Sequence, residues 1–134
     1  MPKEHLNPPQ LFPSLQYGFS QGVTASGGKT VYLSGQVAWD QNQQLVGPGD
    51  LHAQARQALR NVSIALQAAG GDLADVVSMR IYIVQEKMGE SRAITKALQE
   101  FFPGGTPPAT TWIGVPSLAN RDFLVEIEAI AVIE

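Results

Sequence analysis

No cysteine occurs anywhere in the 134 residues. Thiol catalysis, disulfide frameworks, thiolate zinc sites and iron–sulfur clusters are therefore excluded together, and the absence fits a reducing compartment. Charge is also scarce, at 16% of residues against about 25% in an average soluble domain. That shortfall points to surface covered by something other than water. Basic residues are in the minority, nine against twelve acidic, for a net charge of −3. Such a chain cannot gather phosphates by bulk electrostatics, so nucleic acid is not an expected partner. No apolar run approaches the roughly twenty residues that span a bilayer, and the N-terminal stretch has no apolar core for a signal peptide. A membrane is not expected as a partner, and the expected location is cytoplasmic.

Histidine is nearly absent too. His5 and His52 stand alone, without the neighbours a triad or a metal site needs, so no metal is expected. Phosphate-binding glycine loops are missing as well. Gly27-Gly28-Lys29 lacks the upstream glycine of such a loop, its position being held by Val23, and reads instead as a hairpin tip.

What is present fits a single domain over residues 1–134, with an extended or irregular arm at 1–16. Four prolines in the first thirteen residues hold that arm out of helix. A short strand is predicted over 19–24, the Gly-Gly hairpin turn next, and a second strand over 30–39. Asp50 is a good N-cap for a helix in which Leu51, Ala55, Ala58, Val62, Ala65 and Ala69 advance by fours and threes,. Gly70-Gly71 ends it. A β-branched strand follows over 76–84, then a helix over 90–102 stopped by Pro103-Gly104-Gly105, and strands over 109–115 and 123–133. The order β-β-α-β-α-β-β describes an α+β fold: one mixed sheet with both helices on one face.

Alternation along the strands separates two faces. Phe123, Val125, Ile127, Ala129, Ala131 and Ile133 form an unbroken apolar set that belongs under the helices,. Val77, Met79, Ile81 and Ile83 repeat it, as do Val31, Leu33 and Val37. The other face mixes Glu126, Glu128 and Ile130 with Ser78, Arg80 and Tyr82, and with Tyr32, Ser34, Gln36 and Ala38. Aliphatic and aromatic groups interleaved with a few polar ones resemble a subunit interface more than a solvated face, so self-association is expected. Glu126 and Glu128 share that face. One of them is suited to general acid–base work; equally, both could form ion pairs, with Arg80 the obvious partner.

Four segments together resemble the RidA/YjgF family, the reactive-intermediate deaminases. They are Ser34-Gly35-Gln36, the helix HAQARQALRNVSIALQAAGG, Phe101-Phe102-Pro103 and the terminal VEIEAIAV. The resemblance runs from about Phe19 to Ile133. It implies a chorismate-mutase-like fold, a homotrimer with clefts between subunits, and metal- and cofactor-free hydrolysis of imines and enamines. In archetypal members an arginine in the fourth strand clamps the substrate carboxylate, and a glutamate in the last strand assists the attacking water. Carried over by position, that glutamate is Glu126. The turn glycine is Gly35, the upstream aromatic (usually tyrosine) is Phe19, and the helical asparagine falls near Thr95.

The clamp departs from the pattern. Where the archetype reads proline, alanine, arginine, this chain reads Pro108-Ala109-Thr110, with Trp112 in place of a smaller residue. Threonine cannot replace a bidentate guanidinium. A charged hydrogen bond is worth roughly 1.5–3 kcal/mol, so carboxylate binding should weaken at least about tenfold. Arg80, on the face of Glu126, could supply the charge from another direction. Trp112 either lines the cleft or packs a trimer interface. The expected activity is accordingly a Rid-type hydrolase or deaminase of a small imine, enamine or related labile C–N compound, other than the archetypal 2-iminopropanoate deaminase. The alternative is a non-catalytic trimer that binds a small metabolite. RNA cleavage, which the resemblance also admits, is disfavoured by the negative net charge.

Overall fold

The computed structural model describes residues 3–134; the first two residues of the expected arm lie outside them. Six strands and two α-helices follow in the order β1 (Glu4–Leu6), β2 (Gly22–Thr24), β3 (Lys29–Gln36), α1 (Leu51–Ala68), β4 (Val76–Val84), α2 (Arg92–Phe101), β5 (Ala109–Val115) and β6 (Val125–Ile133). The main sheet has the order β3-β6-β4-β5, with β4 and β5 parallel and the other neighbours antiparallel. Parallel pairing needs a crossover, and α2 lies within it. The α+β expectation, with one mixed main sheet, holds.

The helix α1 begins and ends as its sequence demands. Asp50 Oδ1 accepts from the Ala53 N–H at 3.0 Å. At the other end Gly70 takes φ 88, and the N–H groups of Gly70 and Gly71 donate to the carbonyls of Gln67 and Leu66. This is the glycine-terminated double bond that satisfies the last free carbonyls of a helix. The apolar stripe of α1 (Ala55, Leu59, Val62, Leu66) and that of α2 (Ile94, Ala97, Leu98) close over Met79, Ile81 and Ile83 of β4 and Val125, Ile127 and Ala129 of β6. Across the helix pair, His52 Nε2 lies 2.7 Å from Glu100 Oε1, and that hydrogen bond holds the Glu100 carboxyl below its ordinary range.

Several local expectations change. The Gly-Gly turn is real, with φ 68 and 67, and a Cβ at Gly28 would strike the Ile133 carbonyl. It does not close a hairpin, however. β2 pairs with β1 in a separate two-stranded ribbon, so the expected first strand leaves the main sheet and part of the arm becomes strand. The arm also contains a 3-10 turn, Ser14–Tyr17. Phe102 leaves the helix (φ −125, ψ 65) because the residue before a proline avoids the α region.

Two bulges overturn the alternation read from sequence. Between Val76 and Ser78 the β4–β6 register slips, so Val76 is buried and Val77 only half-buried. Between Leu33 and Gln36 the β3–β6 register slips as well, pairing Gln36 with Ile127. Gln36 therefore turns to the helix side, where it lines a shallow pocket with Asn61 and Ile64. Beyond it Ala38 is fully buried. An extra residue in one strand inverts every side chain after it.

The start of β6 depends on a buried amide. Gln54 Oε1 accepts from the Leu124 N–H at 2.9 Å, and its Nε2 donates to the carbonyls of Gly47 at 3.2 Å and Asp122 at 3.1 Å. Gln54→Leu keeps the volume but strands these backbone groups. With each buried unsatisfied group costing about 1–3 kcal/mol, urea denaturation should show a loss of about 2–4 kcal/mol. A loss below about 0.5 kcal/mol, within the range of ordinary surface substitutions, would mean that the amide does not anchor β6.

Candidate functional site

The face of the sheet away from the helices carries the expected carboxylates. Cα partners across a ladder put their side chains on one side. Tyr82 stands opposite Glu126, and Arg80 opposite Glu128. On β5, Ile113 pairs with Tyr82 and Thr111 with Arg80. Tyr32, 77% exposed, extends the same face on β3. It is the mixed apolar and polar surface that alternation predicted, apart from the residues displaced by the bulges.

The two glutamates are not equivalent. The Tyr82 hydroxyl donates to Glu128 Oε1 at 2.5 Å. This bond, with partial burial and the Glu128 charge, pushes the Tyr82 phenol above its ordinary value of 10.0, against the opposing effect of Arg80. Glu126 makes no hydrogen bond or ion pair among the described residues, and its carboxylate lies against Gly35. Any Cβ at position 35 would collide with that carboxylate. The bulge in β3 thus brings glycine backbone onto the one uncommitted acid of the face. Ion pairing of Arg80 with either glutamate, open on sequence grounds, does not occur among the described residues. Arg80 is exposed.

The remaining sequence-derived positions gather elsewhere. Thr110 pairs with Met79 and Trp112 with Ile81, so both belong to the helix side of the edge strand β5. Trp112 packs against its own chain's core. Its indole Nε1 donates to Thr110 Oγ1 at 2.9 Å, and its ring lies 6.0 Å from that of Phe19. Thr95, on α2, lines a pocket with Tyr17, and its carbonyl lies beside the Gly18 turn that leads into Phe19. The seven positions thus fall into two groups on opposite faces: Gly35, Arg80 and Glu126 on one, Phe19, Thr95, Thr110 and Trp112 on the other. Glu126 and Thr110 are separated by the intervening strand β4 and by three residues of register, about 10 Å in each direction.

Sequence reasoning missed two contributors. Asn61 Nδ2 donates to the carbonyls of Val37 at 2.8 Å and Trp39 at 2.9 Å, fixing the exit of β3. Phe12, whose ring lies 6.2 Å from that of Phe19, was hidden in a proline-rich arm with no periodicity to mark it. No group of three or more His, Asp or Glu among the described residues could hold a metal ion, and no helix among them is long and apolar enough to cross a membrane.

Comparison with known proteins identifies the fold's lineage. The family model described as Endoribonuclease L-PSP matches residues 12–133. The chain belongs to the RidA/YjgF family. A crystal structure from Yersinia pestis, described as the protein of unknown function YyfB of the conserved Rid protein family, superposes with a TM-score of 0.93 at 41% identity, covering 99% of this chain and 100% of that one. RidA from the Antarctic bacterium Psychrobacter sp. gives a TM-score of 0.71 at 30% identity over 85% of this chain and 87% of that one. A 2-iminobutanoate/2-iminopropanoate deaminase from Dermatophagoides farinae is 35% identical over 133 residues, 99% of this chain and 98% of its own length. The segment ahead of residue 12 lies outside the family model yet within the matches to the Yersinia and mite proteins.

The asymmetry of the two glutamates has a spectroscopic consequence. A phenol whose folded pKa is raised stabilises the fold below its unfolded pKa, and loses that contribution as pH rises through the folded value. In an alkaline absorbance titration, one of the three tyrosines should ionise later than the others. Glu128→Gln should return it towards the ordinary range, whereas Glu126→Gln should leave the curve in place. Equal responses to both variants would contradict the assignment.

Proposed function

We propose that this chain is a Rid-type hydrolase that converts a small imine, enamine or related labile C–N compound to a carbonyl compound and ammonia, in clefts shared between the subunits of a homotrimer. The observation that carries the reading is the uncommitted Glu126 carboxylate against Gly35. The likeness to the mite deaminase supports the reaction class. Glu126 accepts a proton as water attacks the imine carbon, forming the C–O bond while the nitrogen is protonated. The resulting carbinolamine collapses, the C–N bond breaks, and ammonia leaves with the proton returned. Neither a metal nor an organic cofactor enters this balance.

The opposed faces favour a site shared with a second copy. One small substrate cannot reach both Glu126 and Thr110 through a sheet, so Glu126 of one subunit would work with the Thr110–Trp112 edge of its neighbour. The mixed face bearing Tyr32 and Ile130 supplies the apolar area for that association. Light scattering should give about three times the 14.4 kDa chain mass. A monomer at micromolar concentration would remove the shared cleft.

The substrate need not carry a carboxylate, because Thr110 offers no charge and its oxygen already accepts from Trp112. That same uncharged edge favours, as the second reading, a trimer that binds a metabolite without turning it over. Ammonia release from imines generated in situ separates the two. Glu126→Gln should lower kcat by about 10²–10⁴; an absence of turnover with every imine favours the binder. On 2-iminopropanoate the wild type should be slow, and Thr110→Arg with Trp112→Ala should improve kcat/KM at least about tenfold. Efficient wild-type turnover abolished by Arg80→Ala, with the trimer intact, would instead place the clamp at Arg80.

A further inference from the structure

The N-terminal arm presents an unusual surface. Of the seven large apolar side chains exposed among the described residues, Leu6, Leu11, Phe12, Leu15 and Tyr17 all belong to it or to the turn that follows. Phe12 is 56% exposed and Tyr17 46% exposed. Rings left this wet on a free arm would be unremarkable, but this arm is fastened. β1 pairs with β2. The Gln21 N–H donates to Asn7 Oδ1 at 3.0 Å, and Gln21 Nε2 donates to the Phe12 carbonyl at 2.9 Å. Pro8, Pro9 and Pro13 restrict the backbone around these bonds.

The residue that continues this segment is fastened as well. Ser20 Oγ donates to the Pro107 carbonyl and the Ser20 N–H donates to the Pro108 carbonyl, which locks Phe19 onto the start of β5. The rings therefore form a fixed series. Tyr17 and Phe12 are 6.3 Å apart, Phe12 and Phe19 6.2 Å, Phe19 and Trp112 6.0 Å, with interplanar angles of 59°, 69° and 57°. Ring faces tilted against one another make angled walls, which receive a flat group edge-on or offset. The series ends at the Thr110–Trp112 hydrogen bond, which consumes the nearest polar donor.

We infer that Phe12 is a specificity-determining residue of the proposed site, and that the substrate carries a planar apolar group, such as a phenyl ring, which packs on Phe12, Phe19 and Trp112. The inference rests on the hydrolase reading for its reaction but not for its ligand chemistry. Holding the rings in place beforehand removes most of the ordering entropy that binding such a group would otherwise require. An aliphatic imine of three or four carbons leaves these walls largely uncovered. The arm supplies this wall from the very edge of the segment matched by the family model, which begins at residue 12.

The test uses the full chain and four imines generated in situ: from phenylalanine and alanine by an amino-acid oxidase, and from 2-phenylethylamine and butylamine by an amine oxidase. Hydrolysis is followed in competition with semicarbazide trapping. The ring-bearing member of each pair should have a kcat/KM at least about tenfold higher, as about 1.4 kcal/mol of ring contact implies. Phe12→Ala should bring that ratio towards one, chiefly through KM, and Phe12→Tyr should restore it. A ratio unaffected by Phe12→Ala overturns the inference while leaving the hydrolase reading intact. So does loss of the oligomer in Phe12→Ala, since the patch would then be a contact between copies of the chain. Should no imine be turned over, calorimetry with phenylpyruvate and pyruvate decides independently. Tighter phenylpyruvate binding that Phe12→Ala abolishes upholds the inference without the enzyme; equal or absent binding overturns it.

Discussion

The buried side-chain amide of Gln54 is the constraint on which the rest of the sheet depends. β6 lies between β3 and β4, so the residue at which it begins fixes the register of both neighbours. Gln54 takes the Leu124 N–H and gives its own hydrogens to the Gly47 and Asp122 carbonyls. It thereby ties α1 to the loop before it and to the entry of β6. Glu126 follows two residues later, on a strand whose position the helix has already set. Seven residues along the same helix, about two turns, Asn61 holds the Val37 and Trp39 carbonyls at the exit of β3. One helix thus positions both sides of the contact between Glu126 and Gly35. A polar group inside an apolar interface specifies geometry because its alternatives leave backbone groups unpaired.

That contact lies within the bulge in β3. A side chain at position 35 would occupy the space that the Glu126 carboxylate fills. Glycine there removes the Cβ, and the extra residue turns Gln36 to the helix side. Bulges commonly re-aim side chains where a strand meets a site. Here one carboxylate stays uncommitted among the described residues while its neighbour Glu128 is occupied by Tyr82.

Much of the fold was legible because it is written in local chemistry. Asp50 and Gly70-Gly71 bound α1, and the β-branched run of β4 and the stretch after Pro107-Pro108 mark strands whose limits coincide with those observed. Features set by distant partners were not legible. Strict alternation failed at Val77 and beyond Gly35, where a bulge can be seen only in the register. The Gly-Gly turn suggested a hairpin because nothing in the sequence shows that β1, from the arm, claims β2 first. In the site, the pair of glutamates and Gly35 could be found by position, but their inequality depends on the reach of Tyr82. Phe12 carries no sequence signal at all, since its place beside Phe19 depends on a hydrogen bond made by Gln21 nine residues away.

The separation of the two groups gives the proposed reaction a division of labour. A carboxylate that accepts a proton from water works best where competing donors are few, and Glu126 has none among the described residues. Recognition of a flat apolar group needs rigid rings and few unsatisfied polar atoms, which the Phe12–Phe19–Trp112 series provides. Placing both on one face of one sheet would set an acid amid aromatic walls and raise the energy of its charged form. With the two on opposite faces, each forms in an environment suited to it, and association of chains would bring them together. Substrate choice can then change through the arm without disturbing the strand that carries the acid.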